Sequence, residues 1–256
     1  MSSSAPSYLG ESLGTEIVTI NVGTGSNRKQ FIIHKKLICS KVDFFHKAFV
    51  GGFKENQGLM DLPEEKPAVF GMFVDWLYRS DSQVGVYTSQ EQYIGLFKLY
   101  FFAERFCIDH LQNRVMDRIL ITMAGVWEND YNGLWITIPF AAFIFDNTTK
   151  EAPLRAYCIH ELAFRLWDPA NKSTIPSSED LSTICTHWSH KEDLMKGYFE
   201  FLRSSPLEVE PLWGYHWMNV PDYCRFHRHG KDEACYLVVE GDTFFGSLDE
   251  NLQFED

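Results

Sequence analysis

The chain has 256 residues and a formal net charge of −12, and its 45% hydrophobic and 15% aromatic content is too high for a disordered protein. The charge is uneven, because residues 1–125 hold 13 basic and 13 acidic side chains whereas residues 126–256 hold 10 basic and 22 acidic ones. Neither half has the cationic excess that binding to nucleic acid or to an anionic membrane requires, so the composition favours protein partners.

The N-terminal half begins with a short arm followed by a β-hairpin. Residues 1–14 are rich in Ser and Gly and are predicted to be a flexible arm. Residues 16–22 (EIVTINV) alternate β-branched and polar side chains, which is typical of a half-buried strand. The Gly-rich segment 23–27 then predicts a turn, and residues 29–34 predict a second strand.

After the hairpin the hydrophobic period changes to that of a helix. Two short helices are predicted over residues 35–49, and Ser40, with Asp43 three residues later, is predicted to cap the second one. A short strand at residues 59–62 and three amphipathic helices between residues 67 and 123 follow.

The C-terminal half is predicted to be helical first and irregular later. Residues 126–205 contain an amphipathic helix from Leu154 to Trp167 and a second helical stretch from Leu181 to Leu202. Residues 206–256 are predicted to be an acidic tail in which only residues 235–239 are strand-like.

The N-terminal sequence and the cysteines predict an intracellular protein, in the cytoplasm or the nucleus, that is not secreted. Residues 1–10 (MSSSAPSYLG) lack the basic start and the apolar core of a secretory signal. The six cysteines are therefore expected to remain reduced. The longest apolar run, about Leu134 to Phe145, is shorter than the ~20 residues that cross a bilayer, so no membrane span is expected.

Three passages in the N-terminal half carry a resemblance to a known family. They are residues 31–40 (FIIHKKLICS), residues 44–55 (FFHKAFVGGFKE) and residues 61–78, which begin with DLPE and end with WLY. In order and spacing they resemble the BTB/POZ domain, and the resemblance covers residues 15–125. It implies an α+β fold, in which a small sheet flanked by a cluster of helices is followed by a mostly helical C-terminal region. The acidic second half is similar to the tails of BTB/POZ proteins common in filamentous fungi.

The resemblance implies a protein–protein interaction module that oligomerises with itself or with another BTB protein. It also implies an alternative, since some BTB domains dock onto cullin scaffolds as substrate adaptors of ubiquitin ligases. Phe53, Lys54 and Glu55 stand where the family has its docking motif, an apolar residue followed two positions later by Glu. An exposed Phe53 would anchor in a pocket of the partner while Glu55 pairs with a cation at the rim. In the alternative interpretation Phe53 packs beneath the turn and Glu55 is solvated.

The sequence predicts that the chain is not an enzyme. It contains no Walker, Gly-x-Ser-x-Gly, His-Glu-x-x-His or protein-kinase motif. His34 and Cys39 could form a catalytic dyad only if the fold brought their side chains together. The apolar helical pattern around Cys39 favours a place in the core instead.

One C-terminal segment combines four side chains that can bind zinc. Cys224, His227, His229 and Cys235 form the pattern Cys-x2-His-x-His-x5-Cys. They predict a closed, structural zinc site, with His227 and His229 on the same side of an extended backbone. Because the spacing departs from familiar zinc frameworks, a polar turn between two core cysteines is the alternative. A zinc-dependent regulator or an enzyme built on the C-terminal half is the rival function from another class.

Overall fold

The computed structural model describes residues 13–79, 90–129, 136–167 and 189–204, together with positions 182, 226–230, 233 and 235. The chain divides into two compact units, which we call the first and the second unit. The first consists of Met1–Val86 with Lys98–Leu111, and the second of Tyr87–Phe97 with Gln112–Asp256.

The described residues form three strands and eight α-helices, which confirms the predicted α+β class. The strands are β1 (Ile17–Val22), β2 (Lys29–His34) and β3 (Leu59–Leu62). The helices are α1 (Lys35–Lys41), α2 (Asp43–Val50), α3 (Pro67–Tyr78), α4 (Gln90–Arg105), α5 (Asp109–Asn129), α6 (Ile138–Asp146), α7 (Pro153–Trp167) and α8 (Lys191–Ser204). Within the described residues, no helix is both long and apolar enough to span a membrane.

The sheet has the order β2-β1-β3, and it buries one face. β1 pairs with β2 in antiparallel register and with β3 in parallel register. The predicted hairpin is confirmed, and its turn begins at Gly23, whose φ of +81° suits a residue without a Cβ. On β1, Val18, Ile20 and Val22 are almost completely buried, so the alternation read from the sequence identifies the face that points to the core.

The core of the first unit is a cluster of phenylalanine rings from three helices. Phe102 on α4 lies at the centre of this cluster, with ring centroids 5.1 Å from Phe73, 5.9 Å from Phe70 and 4.5 Å from Phe106. Phe45 on α2 stacks on Phe106 at 5.8 Å. At roughly 2 to 3 kcal/mol for each fully buried ring, the cluster is a major source of stability for this unit.

The predicted cap of α2 is wrong. α1 continues to Lys41, so Ser40 lies inside the last turn of that helix. Its Oγ donates a hydrogen bond to the carbonyl of Leu37 at 2.9 Å. Val42 is the N-cap residue of α2, and no side chain caps the helix.

In the second unit, one buried arginine joins three helices. Arg155 on α7 donates hydrogen bonds to the carbonyl of Phe145 at the end of α6 (2.6 Å) and to Oγ1 of Thr148 (3.0 Å). Its guanidinium also lies 4.7 Å from the centre of the Phe145 ring and 3.7 Å from Asp193 on α8. The first of these contacts satisfies the carbonyl of Phe145, one of the last carbonyls of α6, which have no partner inside that helix.

The helix predicted from Leu154 to Trp167 is confirmed as α7, which begins one residue earlier. Of the stretch predicted from Leu181 to Leu202, the described part is α8 with residues 182, 189 and 190. Of the strand-like residues 235–239, only Cys235 is described, and it has no regular secondary structure.

We predict that Phe102→Ala lowers the free energy of unfolding of the first unit by about 3 to 5 kcal/mol, because it removes a ring that contacts three other rings. Thermal and urea unfolding followed by circular dichroism measure the change. Phe199→Ala is the matched control, since that ring is 55% exposed, and it should cost less than about 1 kcal/mol. Equal losses in the two variants would contradict the assignment of the core.

Candidate interaction surfaces and the Cys/His segment

The solvent-facing side of the sheet carries an apolar patch. Ile17, Ile32 and Leu59 are 56%, 61% and 53% exposed. Thr19 on β1 lies opposite Ile32 on β2 and opposite Leu59 on β3, so one row across the sheet carries Ile32 and Leu59 with Thr19 between them. Ile17 is two residues from Thr19 and points to the same face. We call Ile17, Ile32 and Leu59 the sheet patch.

The other end of this sheet face is polar. Asp61 Oδ1 accepts hydrogen bonds from Arg28 Nη2 (2.7 Å) and from Asn21 Nδ2 (3.0 Å). Gln30 Nε2 lies 3.5 Å from Asn21 Oδ1. The polar groups at this end therefore satisfy one another, and the apolar area of the face is confined to the sheet patch.

Phe53 stands at the surface of the first unit. Its side chain is 63% exposed and it precedes a short 3-10 helix, Lys54–Gln57. The Phe53 side chain therefore does not pack beneath the turn, which was the alternative interpretation of the sequence. The side chain of Glu55, by contrast, is only 20% exposed, and its carboxylate lies 3.9 Å from Lys54 Nζ.

Two glycines flank Phe53 at positions where a side chain would clash or would be strained. A Cβ at Gly51 would lie 2.3 Å from the carbonyl oxygen of Lys47 and 3.3 Å from the Phe53 ring. Gly58 ends the 3-10 helix with a φ of +83°, in the left-handed region that favours glycine. The loop around Phe53 therefore requires glycine at both positions.

The two residues considered as a dyad have other partners. His34 Nδ1 lies 2.8 Å from the hydroxyl of Tyr78, and the Cys39 thiol donates to the carbonyl of Phe45 at 3.7 Å. Burial raises the pKa of Cys39, against the opposing charge of Lys35, so the thiol is disfavoured as a nucleophile.

His227 connects the C-terminal segment to α5. Its ring is buried, with Nε2 at 2.6 Å from Oδ1 of Asp117 on α5 and Nδ1 at 3.3 Å from Sγ of Cys235. Cys235 is buried and His229 is exposed. Cys224 lies outside the described residues. The structure therefore brings together two of the four predicted zinc ligands and adds Asp117, which the sequence analysis did not select.

The buried position of this carboxylate–imidazole pair affects both groups. Desolvation raises the pKa of Asp117, although the hydrogen bond from His227 works in the opposite direction. Desolvation alone would lower the pKa of His227, but the hydrogen bond and the charge of Asp117 outweigh it and raise that pKa. The second oxygen of Asp117, Oδ2, is buried without a hydrogen-bond partner among the described residues.

Two further contacts hold the segment in place. The Asn113 amide donates to the carbonyl of Arg228 (2.8 Å) and accepts from the Arg228 N–H (2.7 Å), so it pairs with both backbone groups of that residue. The Phe226 ring meets Tyr157 on α7 edge-on, with centroids 5.5 Å apart. In the described part of the chain, no three His, Cys, Asp or Glu side chains are grouped so as to share a metal ion.

Comparison with known proteins identifies the N-terminal part of the chain. Residues 18–120 match the family model of the BTB/POZ domain. No curated protein matches the chain at a significant level. The matched residues contain the three-stranded sheet and the helices from α1 to α4. This chain therefore contains a BTB/POZ domain, which is a protein–protein interaction module rather than a catalytic domain.

Proposed function

We propose that the chain acts by self-association, or by association with another BTB protein, through its BTB/POZ domain. The observation that carries the proposal is the sheet patch, where three large aliphatic side chains, one from each strand, share one face of the sheet and are each more than half exposed. Single exposed aliphatic residues are ordinary on protein surfaces, but several on one face form the kind of area that partners cover.

The chemistry of this sheet face suits a symmetric interface. In a two-fold dimer the same patch contributes from both subunits, so the aliphatic row would meet its own copy. Each Ile or Leu side chain that leaves water contributes about 1.5 to 3 kcal/mol when burial is complete. The polar end around Asp61 would then lie at the rim, where its paired groups fix the register of the two copies.

We predict that Ile32→Glu weakens self-association at least about 10-fold, because a carboxylate is costly to bury in an apolar interface. Gln30→Glu is the matched control, since Gln30 is exposed on the same face of β2 two residues away. It should change the dissociation constant by less than about 3-fold, as expected for a rim charge. Sedimentation equilibrium and light scattering on the full chain measure both.

Two results would count against this proposal. One is a chain that stays monomeric at high micromolar concentration and also fails to bind other BTB domains. The other is an equal effect of Ile32→Glu and Gln30→Glu, which would place the contact elsewhere. Circular dichroism on each variant checks that the sheet still folds.

A second candidate function is that of substrate adaptor for a cullin-type ubiquitin ligase. Its specific support is the exposure of Phe53, which lies directly before the short 3-10 helix. An exposed aromatic ring is a frequent interface anchor. The covered position of Glu55 suggests that its carboxylate helps to shape the loop as well as to meet a cation.

We predict that Phe53→Ala weakens binding to a cullin by about 2 kcal/mol or more, roughly 30-fold, as for an interface hot spot. Phe199→Ala, which removes an exposed ring from the second unit, should leave binding unchanged. Titration calorimetry measures the affinities, and melting temperatures show whether either variant affects folding. A sharp loss of stability in Phe53→Ala, or no binding by the unaltered chain, would remove the adaptor hypothesis.

A further inference from the structure

We propose that the free edge of β2 and the groove between β2 and α3 bind an extended segment of a partner protein, which adds a fourth strand to the sheet. The sheet order β2-β1-β3 leaves β2 at one edge, and no strand among the described residues pairs with its outer side. The site is distinct from the sheet patch, because it uses the backbone of β2 and side chains on the opposite face of the sheet.

The first step is the direction of the backbone groups of β2. In an antiparallel pair, the residues of a strand alternately bond to the neighbouring strand and point away from it. The N–H of His34 points away from β1 and donates to the Tyr78 hydroxyl at 3.0 Å, whereas the N–H of Lys35 donates to the residue before β1 at 2.9 Å. Ile32 and Gln30, two and four residues before His34, therefore present their N–H and C=O groups at the free edge. Such a row of groups is a template for a further strand.

The second step is the groove beside this edge. A Cβ at Gly23, in the hairpin turn, would lie 3.2 Å from Pro67 at the start of α3, and Tyr78 at the end of α3 contacts His34 at the end of β2. The helix therefore runs along β2 in the same direction as the strand. Between the two elements lies an open cavity of about 440 Å³, a volume within the range of roughly 300 to 1,000 Å³ that is typical of ligand sites. Its lining includes Lys29, Phe31, Ala68, Gly71, Met72 and Asp75.

The third step is the side chain that the groove can accept. Phe31 is half-buried, with its ring 4.9 Å from that of Phe70, and it belongs to the face of β2 that points toward α3. A Cβ at Gly71 would meet no atom within 4 Å, so the groove has space above this turn of the helix. In an added strand, every second side chain would point into the groove. An apolar side chain opposite Phe31 would fill the space above Gly71 and form a cross-strand pair with the ring.

The fourth step is the charge at the two ends of the groove. Lys29, next to the hairpin turn, lies with Nζ 5.1 Å from the centre of the Phe31 ring, and Asp75 lies on the C-terminal half of α3. Both residues are exposed. A strand antiparallel to β2 would therefore carry a basic side chain near Asp75, an apolar one opposite Phe31 and an acidic one near Lys29. These charges select the direction of the bound segment more than they increase its affinity.

A set of synthetic peptides with blocked ends, Gly-Lys-Thr-X-Thr-Glu-Gly with Val, Ile, Leu, Met or Phe at X, is the probe. We expect at least one of them to bind the full chain with a dissociation constant below about 1 mM and to shift the amide NMR signals of Gln30 and Ile32. N-methylation of the two threonines should weaken binding at least about 10-fold, because it removes two hydrogen bonds to the edge of β2. If no peptide of the set binds, or if the N-methylated peptide binds equally well, the proposal is overturned.

A variant that fills the groove tests its position. Gly71→Leu should fold, because leucine is a better helix former than glycine and the added Cβ has space, and it should weaken peptide binding at least about 10-fold. Gly52→Leu is the matched control, since a Cβ there also meets no atom within 4 Å and Gly52 does not line the groove. It should change the affinity by less than about 3-fold. Equal effects of the two variants would place the peptide elsewhere and overturn the site.

A charge exchange tests the direction of the bound strand. Asp75→Lys should weaken binding of the original peptide about 3-fold or more, and replacement of the peptide lysine by glutamate should restore it. If the original peptide binds this variant as well as it binds the unaltered chain, the assigned direction is wrong.

Sedimentation equilibrium on the same variants separates this site from the sheet patch. Gly71→Leu should leave self-association unchanged, whereas Leu59→Glu, which alters the sheet patch two strands away from the groove, should leave peptide binding unchanged. A loss of self-association in Gly71→Leu would mean that a second copy of the chain occupies the edge, and it would overturn the proposal of a peptide partner. Peptide binding by a chain that stays monomeric would contradict the proposed self-association and leave this inference intact.

Discussion

The packing of aromatic rings between α3 and the C-terminal part of α4 is the interaction on which the first unit depends. A three-stranded sheet has little stability by itself and needs a helix against one face. Phe31 on β2 meets Phe70 of α3 with centroids 4.9 Å apart, and Phe70 in turn packs on Phe102. Because this cluster covers one side of the sheet, the opposite side is available to carry Ile17, Ile32 and Leu59.

The sequence predicted which face of β1 is buried, but it did not reveal the sheet patch. Period-two alternation separates Val18 from Ile17 without any knowledge of neighbouring strands. The placement of Ile32 and Leu59 on the two sides of Thr19 depends on strand register and on the parallel pairing of β1 with β3, which local patterns do not encode. The cap predicted at Ser40 was wrong for a similar reason. The local sequence pattern places Ser40 just before α2, but α1 continues through this residue to Lys41.

Asp117 was missed for a different reason. It lies 110 residues from His227 in the chain, and its neighbours Val115 and Ile119 predict only the buried face of an amphipathic helix. A signal was present, because Asn113 and Asp117 are four residues apart and therefore lie on the same face of the helix. Polar side chains on a buried helix face require hydrogen-bond partners. Here the C-terminal segment supplies them, since Arg228 pairs with Asn113 and His227 pairs with Asp117.

In the described part of the C-terminal segment, hydrogen bonds to Asn113 and Asp117 join the segment to α5. A buried carboxylate–imidazole pair is expensive to desolvate, so it contributes specificity of placement more than net stability. Removing either partner leaves the other buried and uncompensated, which makes the position of the segment sensitive to the state of His227.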